Sequence, residues 1–169
     1  INQKGGVGKT TTTVNIGVAL ARAGHRVLLI DLDPQAHLTL HLGQDPGAGQ
    51  LGTYELLTGS ASFAKARRKA GQNLWLVGSS IDLAGAEVEL VSVVGREVIL
   101  RDLLDQHVGA GRDHHRPQYD YVLIDCPPSL GVLTLNGLCA AGEVFIPLQP
   151  HYLALQGLGK LLETISLVN

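Results

Sequence analysis

The chain opens on INQKGGVGKTTTT (residues 1–13), which crowds Gly5, Gly6 and Gly8 between Lys4 and Lys9, ahead of a run of threonines. One lysine is enough to neutralise a bound phosphate, so the second needs its own explanation. The end of this stretch supplies the second half of the phosphate-loop pattern G-x-x-x-x-G-K-[ST], with Gln3 standing where the first glycine belongs. The part that binds is nevertheless present. Gly5, Gly6 and Gly8 can adopt positive φ, so that successive main-chain N–H groups converge on an anion with no Cβ in the way. A helix from about Thr10 to Ala23 then turns its positive N-terminal end to the same anion. Gly5, Gly6, Val7, Gly8, Lys9, Thr10 and Thr11 form the expected phosphate cradle. Lys9 reaches the β- and γ-phosphates, Thr10 offers its hydroxyl to Mg²⁺, and Thr11 is a further donor.

The surroundings of the loop decide the fold class. Apolar residues recur at Val14, Ile16, Val18, Leu20 and Ala21, and Gly24 follows as a left-handed terminator. RVLLIDLD (residues 26–33) is a short continuous apolar run ending in acids, the pattern of a fully buried parallel strand. YDYVLIDCPP (residues 119–128) repeats that design around Asp125. LWLVGSS (74–80) and EVFIPLQP (143–150) are weaker strand candidates. Helical spacing covers 82–91, 95–107, 131–141 and 154–168, the last with Leu158, Leu161, Leu162, Ile165 and Val168 on one stripe. Strands alternating with helices predict an α/β fold: a doubly wound, mostly parallel sheet flanked by helices, of the P-loop NTPase kind.

The 169 residues, 45% hydrophobic and 17% charged, suit one domain spanning 1–169 with a sizeable core. A net charge of −2 gives no overall electrostatic footprint for nucleic acid. No apolar run reaches the roughly 18 residues of a membrane span, and the polar start is unlike a signal peptide; a cytoplasmic setting is expected. Cys126 and Cys139 fit buried thiols rather than a disulfide framework. Only Ile1 and Asn2 precede the loop, there is no methionine, and the helical pattern at the other end stops without a cap. The expectation is a fragment cut at both ends, lacking most of the first strand and its C-terminal part. GQDPGAGQLG (43–52) and HVGAGRDHHRP (107–117) are expected as surface loops, the second a solvated one rather than a metal site despite His107, His114 and His115.

Two acids end the first buried run. Asp31 and Asp33 share one face if the strand persists, and Pro34 biases Asp33 toward extended backbone.

KGGVGKT (4–10), DLDPQ (31–35) and DCPPS (125–129), with IPLQPHYLALQGL (146–158), resemble the ParA chromosome- and plasmid-partitioning family, deviant Walker A ATPases related to MinD. The similarity runs through essentially the whole chain. It implies an ATP- and Mg²⁺-dependent ATPase that pairs with a second copy of itself. In that family the extra lysine, here Lys4, crosses the dimer interface to the phosphates bound by the partner, so Lys4 joins Lys9 and Asp33 in the expected catalytic set. A cation supplied in trans can be worth about 10³–10⁵ in rate. The resemblance has Asp33 orient the attacking water and Asp125 hold Mg²⁺ through a water. Asp31 is left open between a place near the metal and hydrogen bonds to main-chain amides. Pro127, Pro128 and Ser129 resemble the second switch. The expected partners are the homodimer mate, a ParB-like activator and nonspecific DNA, with localisation on the bacterial nucleoid. The main DNA-contacting and adenine-recognition residues would follow Asn169. KARRK (65–69) is expected as a solvated helix face.

Other classes share parts of this pattern. A MinD-like spatial regulator would carry a basic amphipathic helix for anionic lipid, and DLDPQ favours the ParA branch over it. A nitrogenase-iron-protein relative would place a cluster-binding cysteine seven residues beyond Asp125, where Val132 stands. A small-molecule kinase or synthetase would need an acceptor pocket, which the sequence does not reveal.

Overall fold

The computed structural model describes residues 1–2, 5–47, 49–107, 119–148, 159 and 161–167. Helix α1 (Lys9–Arg22) follows the glycine loop and leads to strand β1 (Val27–Asp31). Short helices α2 (His37–His41), α3 (Thr53–Leu57) and α4 (Phe63–Ala66) come next, then strands β2 (Arg67–Gly71) and β3 (Leu74–Val77). Helices α5 (Leu83–Glu89) and α6 (Ile99–His107), strand β4 (Tyr121–Asp125) and helix α7 (Val132–Ala140) follow. Among the described residues the sheet has four strands, in the order β2-β3-β1-β4. β1 is parallel to both β3 and β4, and the β2–β3 pair is antiparallel. The expected mostly parallel, helix-flanked sheet is what forms.

β1 is buried at every position because both faces of the sheet are covered. Val27 and Leu29 pack with Ala21, Leu38, Leu74 and Leu76 on the α1 side. Leu28 and Ile30 pack with Leu56, Phe63, Leu83, Leu100 and Leu133 on the other. α1 ends as expected: Gly24 has φ +97°, and the Gly24 N–H→Ala21 and His25 N–H→Leu20 bonds, both 3.1 Å, close the last turn.

Several expectations are corrected. β4 was expected to be as buried as β1, yet Val122 to Ile124 are only partly buried and Tyr121 is 42% exposed. Its edge away from β1 borders a groove of about 530 Å³ lined by Ile16, Leu20, Leu123, Leu138, Val144 and Phe145. Residues 143–148 form no strand. They are tied to the chain start by Ile1 N→Phe145 O (2.7 Å) and Asn2 Nδ2→Pro147 O (2.8 Å), and Pro147 has no N–H to give a ladder.

KARRK is not one helix face: α4 stops at Ala66, and Arg67 to Lys69 run in β2, an outer strand where long cations are well tolerated. Arg67 donates to the Tyr119 hydroxyl (2.8 Å) and Arg68 to Leu51 O (3.4 Å). α6 begins at Ile99 rather than near 95, because Gly95 is left-handed (φ +75°) and the buried Asn136 of α7 accepts from Leu100 N (3.0 Å) in the first turn. In the last predicted helix, 159 and 161–167 are helical; Leu161 is buried but Leu162 is 48% exposed. Leu158, Val168, His114 and His115 lie outside the described residues, as does all but the start of the second loop. Among the described residues no helix is long and apolar enough to cross a membrane.

Candidate functional site

The site gathers at the carboxyl ends of β1 and β4, where the glycine loop meets α1. Gly6 (φ +73°) and Gly8 (φ +90°) are left-handed, a conformation that costs other residues about 1 kcal/mol or more. Val7 between them is buried, while Gly5, Gly6 and Thr11 are exposed and Gly8, Lys9 and Thr10 half-buried. Gly8 is the N-cap of α1 and offers no side chain to its first turn. The first i→i−4 bond is Thr12 N–H→Gly8 O at 2.8 Å, so the helix's leading amides have no intrahelical acceptor. They point, with the helix dipole, where an anion would sit. Lys4 lies outside the described residues.

Asp125 stands at the end of β4, 2% exposed. The Thr10 hydroxyl lies beside its carboxylate, and Oδ2 is buried with no hydrogen-bond partner. Burial raises its pKa, the neighbouring Thr10 hydroxyl lowers it, the negative charge of Asp33 raises it and Lys9 lowers it. Thr10, Lys9, Asp33 and Asp125 therefore converge on one small volume. A buried carboxylate oxygen without a partner is costly unless a cation or a cation-bound water completes it. Among the described residues no three His, Cys, Asp or Glu side chains form a metal cage. One carboxylate and one hydroxyl is the sparse donor set that suits Mg²⁺, which otherwise keeps water and substrate phosphate oxygens.

β1 ends at Asp31, so Asp31 and Asp33 do not continue along one strand face. Asp33, 8% exposed, begins a turn in which its Oδ1 accepts Gln35 N–H and its carbonyl accepts Ala36 N–H, both at 2.9 Å. Ala36 then takes φ +54° as the N-cap of α2. Asp31 is fully buried and its carboxylate is taken up by protein donors: Asp33 N–H to Oδ1 (3.1 Å), Thr39 N–H to Oδ2 (3.0 Å) and Thr39 Oγ–H to Oδ2 (2.7 Å). Burial pushes its pKa up to about 7, against the pull of those bonds. Thr39 and Ser79 were not singled out from the sequence; a lone threonine inside HLTLHLG was the available signal.

Cys126 is buried and its thiol is pushed up to about 12, so it stays protonated beside the site. Ser129 of the following loop is fixed through its carbonyl, which accepts the Thr134 hydroxyl of α7 at 2.6 Å.

The AAA_31 family profile, described as an AAA domain, matches residues 1–169. The chain is 49% identical to the chromosome-partitioning ATPase Soj of Treponema pallidum, over 99% of this chain and 62% of that protein. It is 46% identical to the sporulation initiation inhibitor protein Soj of Bacillus subtilis, over 99% of this chain and 63% of that one. Among solved structures, cobyrinic acid a,c-diamide synthase of Mycobacterium smegmatis, with bound ATP analog and magnesium, superimposes with a TM-score of 0.90 at 48% identity, covering 99% of this chain and 66% of that one. The chain spans about six-tenths of the length of these curated relatives. With its phosphate loop and strand-end acids in one place and a family match along its whole length, the chain belongs to the AAA_31 family and is a homologue of the Soj and ParA partitioning ATPases.

Proposed function

We propose that this chain is the nucleotide core of an ATP-dependent switch ATPase of the ParA type, acting in DNA partitioning. The observation that carries the reading is the buried, unpartnered Asp125 Oδ2 beside the Thr10 hydroxyl at the mouth of α1. Lys9 and the amides from Gly5 to Thr11 bind the triphosphate. Thr10 and, through a water, Asp125 would hold Mg²⁺; bound there, the ion neutralises phosphate charge. Asp33 orients the attacking water. Lys4 reaches the phosphates of a second copy, which makes hydrolysis conditional on pairing, and this is our answer to the second lysine.

The 46–49% identity to Soj and ParA supports a partitioning role, with a ParB-like activator, nonspecific DNA and the nucleoid as partners and place. The synthase neighbour has a similar fold, but fold likeness does not carry over an acceptor substrate. We further propose that the groove beside β4 seats the strand that leads into the phosphate loop, since it runs along a sheet edge that no described strand covers and reaches Ile1.

Turnover per chain measured against protein concentration tests the pairing requirement. It should rise with concentration, stay low in Lys4→Ala with ATP affinity retained, and stop in Asp33→Ala with the paired state trapped. Equal turnover in dilute and concentrated samples would remove the trans role of Lys4.

A further inference from the structure

The turn that carries Asp33 has little of its own to hold it. α2 has five residues, far below the length at which a helix persists alone, and its N-cap is Ala36, which has no side-chain acceptor. The position three residues after that cap is Thr39, whose amide is the one an N-cap side chain ordinarily satisfies. Here it is satisfied from a different element, by Asp31 Oδ2 at the end of β1.

We propose that Asp31 is a positioning residue that caps α2 from outside and, through Thr39, fixes the turn holding Asp33, and that it is not a metal ligand. Its two oxygens take three donors, two of them from Thr39 and the third the amide of Asp33 itself. One carboxylate thus grips both ends of the 33–39 turn. The Thr39 hydroxyl is used twice: it donates to Asp31 and accepts Ser79 N–H at 2.9 Å, which ties α2 to the end of β3. Thr53 Oγ–H adds a bond to the Asp31 carbonyl (2.7 Å), holding the strand end from the α3 side.

The contrast with Asp125 decides the role. The two acids are register partners on neighbouring strands, yet Asp125 keeps an oxygen without a partner and Asp31 is occupied by protein donors on both. Binding a cation at Asp31 would require breaking the cap on α2.

The inference rests on the proposed ATPase reading only for its catalytic consequence; the cap itself is testable without nucleotide. Asp31→Asn, Thr39→Val and Thr39→Ser are compared with the parent chain by amide hydrogen exchange in the nucleotide-free state, and by the Mg²⁺ dependence of ATP turnover. Asp31→Asn and Thr39→Val should each lower protection of the Thr39 amide by about tenfold or more. Both should reduce turnover while the Mg²⁺ concentration for half-maximal rate stays within about twofold, and Thr39→Ser should restore both. A large shift in Mg²⁺ dependence for Asp31→Asn without one for Thr39→Val would make Asp31 a metal ligand and overturn the proposal. Unchanged Thr39 protection in both variants would overturn it as well, whether or not the parent hydrolyses ATP. Thr39→Ser keeps the hydroxyl and so separates loss of the cap from a general failure to fold.

Discussion

The Thr10 hydroxyl stands beside the carboxylate of Asp125, close enough to lower its pKa, and Oδ2 of that carboxylate is buried without a partner. An arrangement of this kind is a strain in the empty protein and an asset once a cation is present. Asp125→Asn should therefore stabilise the nucleotide-free chain by about 1–2 kcal/mol, the cost of an unsatisfied buried charge. It should also abolish the added stability that Mg²⁺ with ATP confers. Thermal unfolding with and without the two ligands checks both halves.

Stability of the empty protein should fall as pH rises through the acidic range. Asp31 is raised from 3.8 to about 7 by burial, and Asp125 is raised in the same direction. Between about pH 4 and pH 7 the unfolded chain has released the Asp31 proton and the folded chain has kept it. That one group then removes up to about 1.4 kcal/mol per pH unit, and the loss levels off above its folded value. Urea titrations across this range should show the slope, and Asp31→Asn should flatten it.

Asn136 is fully buried in α7 and makes three bonds: it accepts from Leu100 N–H (3.0 Å) and donates to Arg96 O (2.7 Å) and Val132 O (2.9 Å). Replacing it by leucine strands the amide of the first turn of α6 and the Arg96 carbonyl. A loss of about 2–4 kcal/mol in unfolding free energy is expected, with α6 exchanging its amide protons first.

The groove beside β4 gives a fourth prediction. Extending the chain ahead of Ile1 by five or six β-branched apolar residues should raise the unfolding temperature and protect the β4 amides from exchange. The same extension with a proline at its centre should do neither, because a central strand position needs its N–H.

The parts of the fold that were legible in the sequence are those in which local pattern and tertiary burial agree. β1 reads as a buried parallel strand because both its faces are covered, and α1 announces its end through Gly24. Apart from the loop at 43–52, whose described residues are turn and coil as expected, the stretch from Gln35 to Gly71 was not legible. α2 depends on a carboxylate from another element, and a cap supplied by Asp31 leaves no trace in the residues just ahead of the helix. Arg67 and Arg68 have the spacing of a solvated helix, and become a strand because β3 offers an open edge and Tyr119 and Leu51 offer acceptors. In the candidate site, Lys9, Thr10, Asp33 and Asp125 could be named from motifs alone. Thr39 and Ser79 could not, since their work lies in contacts between distant parts of the chain.

The central claim is that main-chain amides and Lys9 hold a triphosphate whose metal is completed by Thr10 and Asp125. Equilibrium binding of a non-hydrolysable ATP analogue, titrated with and without Mg²⁺ against the parent chain and Lys9→Ala, tests it most directly. Binding that strengthens at least tenfold with Mg²⁺ and is lost in Lys9→Ala is the predicted result; equal binding by both proteins, or none by the parent at millimolar analogue, would contradict it.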